Sequence, residues 1–153
     1  MPDELSKVGV TNAQVEALEG ARLLSKSTQV PIRIEHTFAP GIVVRTMFVP
    51  ANTEVIGHEH KTDHVNMLLQ GACEIVAGHE TIKLRAPLIF TAKAGVRKVA
   101  RFSENSVWAN VLPNPTNETN LDKIEEMFVA KSPVFLAFES QLKEPRSVSA
   151  LSA

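Results

Sequence analysis

The chain is expected to be mainly β, a single barrel or sandwich of short strands with a short helix before it and another after it. Three observations carry this reading. From Val30 to Pro115 the apolar residues alternate with polar ones or run in short β-branched stretches, with Pro, Gly, Asn or Asp turns between them. No helical spacing separates these stretches, which argues against βαβ units and a parallel sheet. Helical spacing is confined to the two flanks. The expected division is an N-terminal arm and short helix over 1–29, a β-barrel over 30–115, a C-terminal helix over 116–131 and a C-terminal arm over 132–153.

Met1 to Val10 is polar and reads as an arm. Thr11-Asn12-Ala13-Gln14 has the form of a capping box, and Val15, Leu18 and Ala21 follow at helical spacing. A helix is therefore expected from about Asn12 to Leu23, with Ser25 to Gln29 as linker. Strands are expected over Val30–Phe38, Ile42–Val49 and Thr53–His60, with turns at Pro40-Gly41 and Pro50-Ala51-Asn52. Lys61-Thr62-Asp63 turns the chain into an apolar strand, His64 to Leu69. Gly71 permits the next turn, Ala72–Ala77 follows, and Gly78-His79 reads as a hairpin tip. Thr81–Leu84, Leu88–Ala92, Arg97–Phe102 and Ser106–Leu112 complete the strands. After Pro113-Asn114-Pro115, Thr119-Asn120-Leu121-Asp122 again has a capping form, with Asp122 at the positive helix end. Leu121, Ile124, Met127 and Phe128 form one apolar stripe, and Lys131-Ser132-Pro133 stops this helix. Val134–Phe138 is a short apolar segment and Glu139–Ala153 a polar arm.

The 153 residues are enough for one domain with a real core, and the composition, 44% hydrophobic and 22% charged, is that of a soluble globular chain. A net charge of −1 offers no basic excess for nucleic acid. No segment is long enough to span a bilayer, and no apolar core of a signal peptide follows Met1. The expected location is therefore the cytoplasm or a particle assembled there, with no membrane partner. Cys73 is the sole cysteine and sits in an apolar strand, so it reads as a small core residue. No P-loop, G-x-S-x-G, CxxC or G-x-G-x-x-G is present.

Chemistry concentrates between His58 and Gly71, where three of the five histidines fall within seven residues. His58 and His60 share one face of an extended segment, and His64 opens the next strand with Asn66 on its own face. Two neighbouring strands then aim three imidazoles at one point, as Zn, Mn, Fe, Ni or Cu requires. The bland alternative is histidines that only pack or hydrogen-bond.

The stretch from about Phe48 to Pro113 resembles the cupin superfamily, small double-stranded β-helix (jelly-roll) barrels. His58-x-His60, three residues, His64, six residues and Gly71 match the spacing of the family's first motif. Asn52 stands in place of its leading glycine and His64 in place of its glutamate. In the second motif Gly95 is kept, but Lys93, Lys98 and Phe102 replace the proline, the fourth histidine and the asparagine. The resemblance thus implies a jelly roll with at most three metal ligands, His58, His60 and His64. Asn66, Lys98 and Trp108 would line the site, with core packing the default for Trp108. A narrower likeness, over about Ile34 to Phe128, is to small cupin-like proteins encoded by tailed bacteriophages. It is carried by Pro50-Ala51, the histidine run, Ala86-Pro87, Ala94-Gly95, Trp108, Asn114-Pro115 and Leu121 to Glu125. Two functions follow as expectations. One is a binding or assembly module such as a virion structural component, homo-oligomeric or partnered through its terminal arms. The other is a metal-dependent dioxygenase, isomerase or lyase in which Lys98 binds a substrate anion and Asn66 orients it.

Overall fold

A reciprocal cap starts the first helix: Gln14 N donates to Thr11 Oγ1 at 3.2 Å and Thr11 N to Gln14 Oε1 at 3.0 Å. The computed structural model describes residues 11–24, 28–77 and 80–141. The expected N-terminal arm, the tip at Gly78-His79 and the chain beyond Gln141 lie outside the described residues. Helix α1 spans Asn12–Leu24, and ten strands follow: β1 Arg33–Ala39, β2 Gly41–Val49, β3 Thr53–Ile56, β4 Glu59–His60, β5 His64–Gln70, β6 Ala72–Ala77, β7 Glu80–Arg85, β8 Leu88–Ala92, β9 Val99–Phe102 and β10 Ser106–Asn114. Helix α2 (Leu121–Phe128), strand β11 (Val129–Ala130) and helix α3 (Pro133–Gln141) complete the described chain.

All pairing is antiparallel. One sheet has the order β1-β2-β10-β5-β8, and the other β3-β9-β6-β7. Leaving out β1 and the short β4, eight strands remain. The first pairs with the last (β2, β10), the second with the seventh (β3, β9), the third with the sixth (β5, β8) and the fourth with the fifth (β6, β7). That nesting is the jelly roll. The fold is therefore mainly β, a cupin-type jelly roll flanked by N-terminal and C-terminal helices.

Alternation along each strand sets what lies between the sheets. Met47, Val55, Leu68, Ile75, Phe102 and Trp108 meet there in one buried cluster. Ile56 and Val99, each next to an inward residue, point outward and pack with Val15 of α1 and Phe135 of α3. Helix α2 closes another margin of the core, with Ile124 and Phe128 against Val43 and Leu112. Two backbone positions explain features of the sequence. Asn52, at the place of the motif's leading glycine, has φ +59°, a left-handed conformation that Asn tolerates well. Gly71 has φ +88°, and a Cβ there would lie 2.1 Å from Ser106 Oγ.

The structure departs from the sequence reading at four points. The expected strand Thr53–His60 is broken: β3 ends at Ile56, and β4 holds only Glu59 and His60. The break falls where Gly57 N donates to Lys98 O at 2.9 Å and Gly57 O accepts from Arg97 Nε at 3.2 Å. Strand β4 pairs with β11, not with β5, whose neighbours are β10 and β8. Leu121 is 52% exposed, so the buried stripe of α2 is Ile124 and Phe128. Pro133, expected only as a stop, opens α3. Ser132 caps that helix, accepting from Phe135 N at 3.1 Å, and a proline at the first helical position gives up only an N–H that has no partner there.

Candidate functional site

One cavity of about 70 Å³ opens between the sheets, several times the ~10–15 Å³ that a single water needs. His58, His60, His64, Asn66, Lys98 and Trp108 all line it. Arg45 and Asn110 join them, while Met47, Val55, Ile75 and Phe102 make the wall apolar. Strand β2 supplies Arg45, β5 supplies His64 and Asn66, and β10 supplies Trp108 and Asn110. Lys98 precedes β9. The strand residues are carried inward by the alternation of their own strands, as at Val43, Arg45, Met47 and Val49.

The three imidazoles sit in different settings. His58 packs edge-on against Phe135 of α3, with ring centroids 4.6 Å apart. His60 stacks on His64, centroids 4.4 Å apart and planes 27° apart. His64 Nδ1 lies 3.1 Å from Thr62 O, and since a carbonyl only accepts, that nitrogen carries the proton. His60 Nδ1 is buried without a hydrogen-bond partner. Burial first, then the charges of His64, Arg45, Lys98 and His58, hold His60 well below the ordinary imidazole value. His64 is also lowered, chiefly by burial and against the hydrogen bonds to Thr62 and Asn66. Both rings are therefore neutral at pH 7.

The cations and amides complete the wall. Burial pulls Arg45 down to about 10, opposed by Glu125. Burial alone pulls Lys98 down to about 8. Among the described residues the Lys98 ammonium has no hydrogen-bond or ion-pair partner. Asn110 Nδ2 donates to Asn66 Oδ1 at 2.6 Å, fixing both amides on the cavity floor. Among the described residues no Asp or Glu lines the cavity. Trp108 also packs edge-on to Phe90 and Phe102, so it serves core and cavity together. Cys73 is buried and its thiol is pushed up to about 12, which makes it unreactive.

Among the described residues no three His, Cys, Asp or Glu side chains come together as a metal-binding group. The Lys98 ammonium, with no hydrogen-bond or ion-pair partner among the described residues, repels a dication. The donor set in this arrangement does not fit a resident divalent metal, and no chemistry is derived through one. Arg45 is the residue the sequence reading passed over. Its signal was a lone charge on the inward face of an otherwise apolar strand.

Strand order thus defines a class, the cupin-like double-stranded β-helix. No protein-family model matches the chain, and no curated protein matches it in sequence. Solved structures similar to it include KdgF from Halomonas sp., with TM-score 0.49 and 16% identity over 65% of this chain and 94% of that one. A cupin superfamily protein from Desulfitobacterium hafniense matches with TM-score 0.48 and 11% identity, over 57% of this chain and 81% of that one. A cupin-2 domain containing protein from Shewanella frigidimarina matches with TM-score 0.44 and 20% identity, over 67% of this chain and all (100%) of that one.

Proposed function

We propose that this protein is a cupin-like binding barrel whose cavity takes a small organic anion. One observation carries the reading: Lys98 presents an ammonium with no partner to a cavity that has no carboxylate. An uncompensated, partly buried charge is costly, and an anionic ligand offsets that cost through charge-assisted hydrogen bonds. Arg45 is the second cation for it. The neutral His60 and His64 and the paired Asn66 and Asn110 provide polar contacts, and the apolar wall accepts a short hydrocarbon part.

Trp108 is the chain's single tryptophan and lines the cavity, so its fluorescence reports occupancy directly. Titration with propionate and lactate is expected to give a saturable change that Lys98→Met removes. A signal indifferent to small carboxylates and to phosphate in the native chain overturns the reading.

The metal-dependent alternative is supported by the spacing of His58, His60 and His64 alone. Elemental analysis of native protein, with melts in chelator and in added Zn²⁺, decides it: stoichiometric metal, removed by chelator with a fall in Tm, would restore it. The assembly role, in a phage particle or elsewhere, is supported by the sequence likeness to phage-encoded barrels. Light scattering on the full chain and on a chain ending at Gln141 tests it. Equal monomer masses would remove the role expected of the C-terminal arm.

A further inference from the structure

The amine of Lys98 has a second chemistry besides its charge, and the inference that follows rests on the anion reading above. We propose that the cavity captures a small 2-oxo acid as an imine on Lys98 Nζ. Three features of the cavity support this. First, Nζ makes no hydrogen bond or ion pair among the described residues, so its lone pair is unoccupied when the amine is neutral. Second, the wall of Met47, Ile75, Phe102 and Trp108 is apolar, which favours the neutral amine. Third, Arg45 lines the same cavity and stays charged at pH 7, so the carboxylate has a cation other than the nucleophile.

The step balances without an oxidant. Neutral Nζ attacks the keto carbon, and the carbonyl electron pair moves onto oxygen. A proton passes from nitrogen to oxygen, giving a carbinolamine. The remaining nitrogen proton moves to the hydroxyl group, which leaves as water while C=N forms. Lys98 near 8 supplies about a tenth of the amine in neutral form at pH 7, whereas a solvated lysine supplies only about one part in three thousand. Among the described residues the titrating groups that line the cavity with Nζ are Arg45, His58, His60 and His64, and the Glu125 carboxylate of α2 acts on Arg45.

The test uses the full native chain with pyruvate and sodium cyanoborohydride at pH 7, read by intact mass and peptide mapping. One reduced pyruvate adduct per chain is expected on Lys98, in at least about tenfold greater yield than on any exposed lysine. Lys98→Arg should lose it. Adducts spread evenly over the lysines, or none at all, overturn the proposal. Trp108 fluorescence with lactate, which has no carbonyl, separates the two readings. Lactate binding without an adduct on Lys98 leaves the anion site standing and sinks the imine. Loss of both signals sinks both.

Discussion

Lys98 destabilises the fold that holds it. Its ordinary value is 10.5 and burial lowers it to about 8, so between these pH values the unfolded chain binds more protons than the folded one. Stability attached to this residue is therefore full above about 10.5 and is lost as pH falls through about 8. Partial exposure screens the effect, so about 1–2 kcal/mol is the reasonable scale at pH 7. Lys98→Met should raise Tm by ~2–6 °C at pH 7, with the gain gone by pH 11. A thermal melt series over pH checks it, and an unchanged or lower Tm at pH 7 would mean the ammonium is better solvated than the cavity suggests. The histidines set the acid limb in the same way. His60 and His64 both lie below their ordinary value of 6.5, so stability is full above 6.5 and falls as acid forces protons onto them in the fold. His60→Gln should flatten the loss of stability between pH 6.5 and 4, measured by urea unfolding at each pH.

At the scale of elements, α1 and α3 are tied to the barrel through one buried ion pair. Arg97 donates to Glu19 at 3.2 Å, with side chains 3% and 0% exposed, and Ser132 also bonds the Glu19 carboxylate. Because Arg97 Nε reaches Gly57 O as well, the same network holds the break that separates β3 from β4 and so helps set His58 and His60. Arg97→Met leaves a buried carboxylate without its cation and should cost ~3–5 kcal/mol, a fall in Tm of about 10 °C. Adding Glu19→Gln should recover part of that loss, since the stranded charge is then gone. The exposed pair Arg85–Glu104, at 70% and 48% exposure, should cost under about 1 kcal/mol when Arg85 is replaced by Ala. Similar losses at both sites would contradict this ranking.

For the whole molecule, ligand binding and folding are one equilibrium. A carboxylate held only by the folded cavity stabilises the chain by about 2.7 kcal/mol when present at one hundred times its Kd. Scanning calorimetry should show Tm rising by ~5–10 °C in saturating propionate for the native chain and hardly at all for Lys98→Met. Equal shifts in both would assign the effect to general salt stabilisation. The jelly roll suits such a site because its two sheets supply inward residues from strands far apart in the chain. Arg45, Asn66, Lys98 and Asn110 meet in one cavity although none is a near neighbour of another in sequence.

Local order was legible in the amino acids. Alternation located the strands, Thr11 and Gln14 announced α1, and Thr119 to Asp122 announced α2, whose cap is Asn120, because periodicity and caps depend on residues within a few positions of each other. The spacing from His58 to Gly71 drew out His58, His60, His64 and Asn66, which with Lys98 and Trp108 line one cavity. Other features came only with the tertiary structure. Ser132 and Pro133 look like a stop until α3 is seen docked on Ile56 and Val99. Whether His58 and His60 act as a pair depends on the break at Gly57, which is made by Lys98 and Arg97 about forty residues away. The pairing of β4 with β11 brings Val129 beside His60, and no local pattern encodes it. Arg45 enters the cavity because β2 lies next to β10. A strand's own residues say which of them share a face; which other strands that face meets is decided by packing between distant parts of the chain.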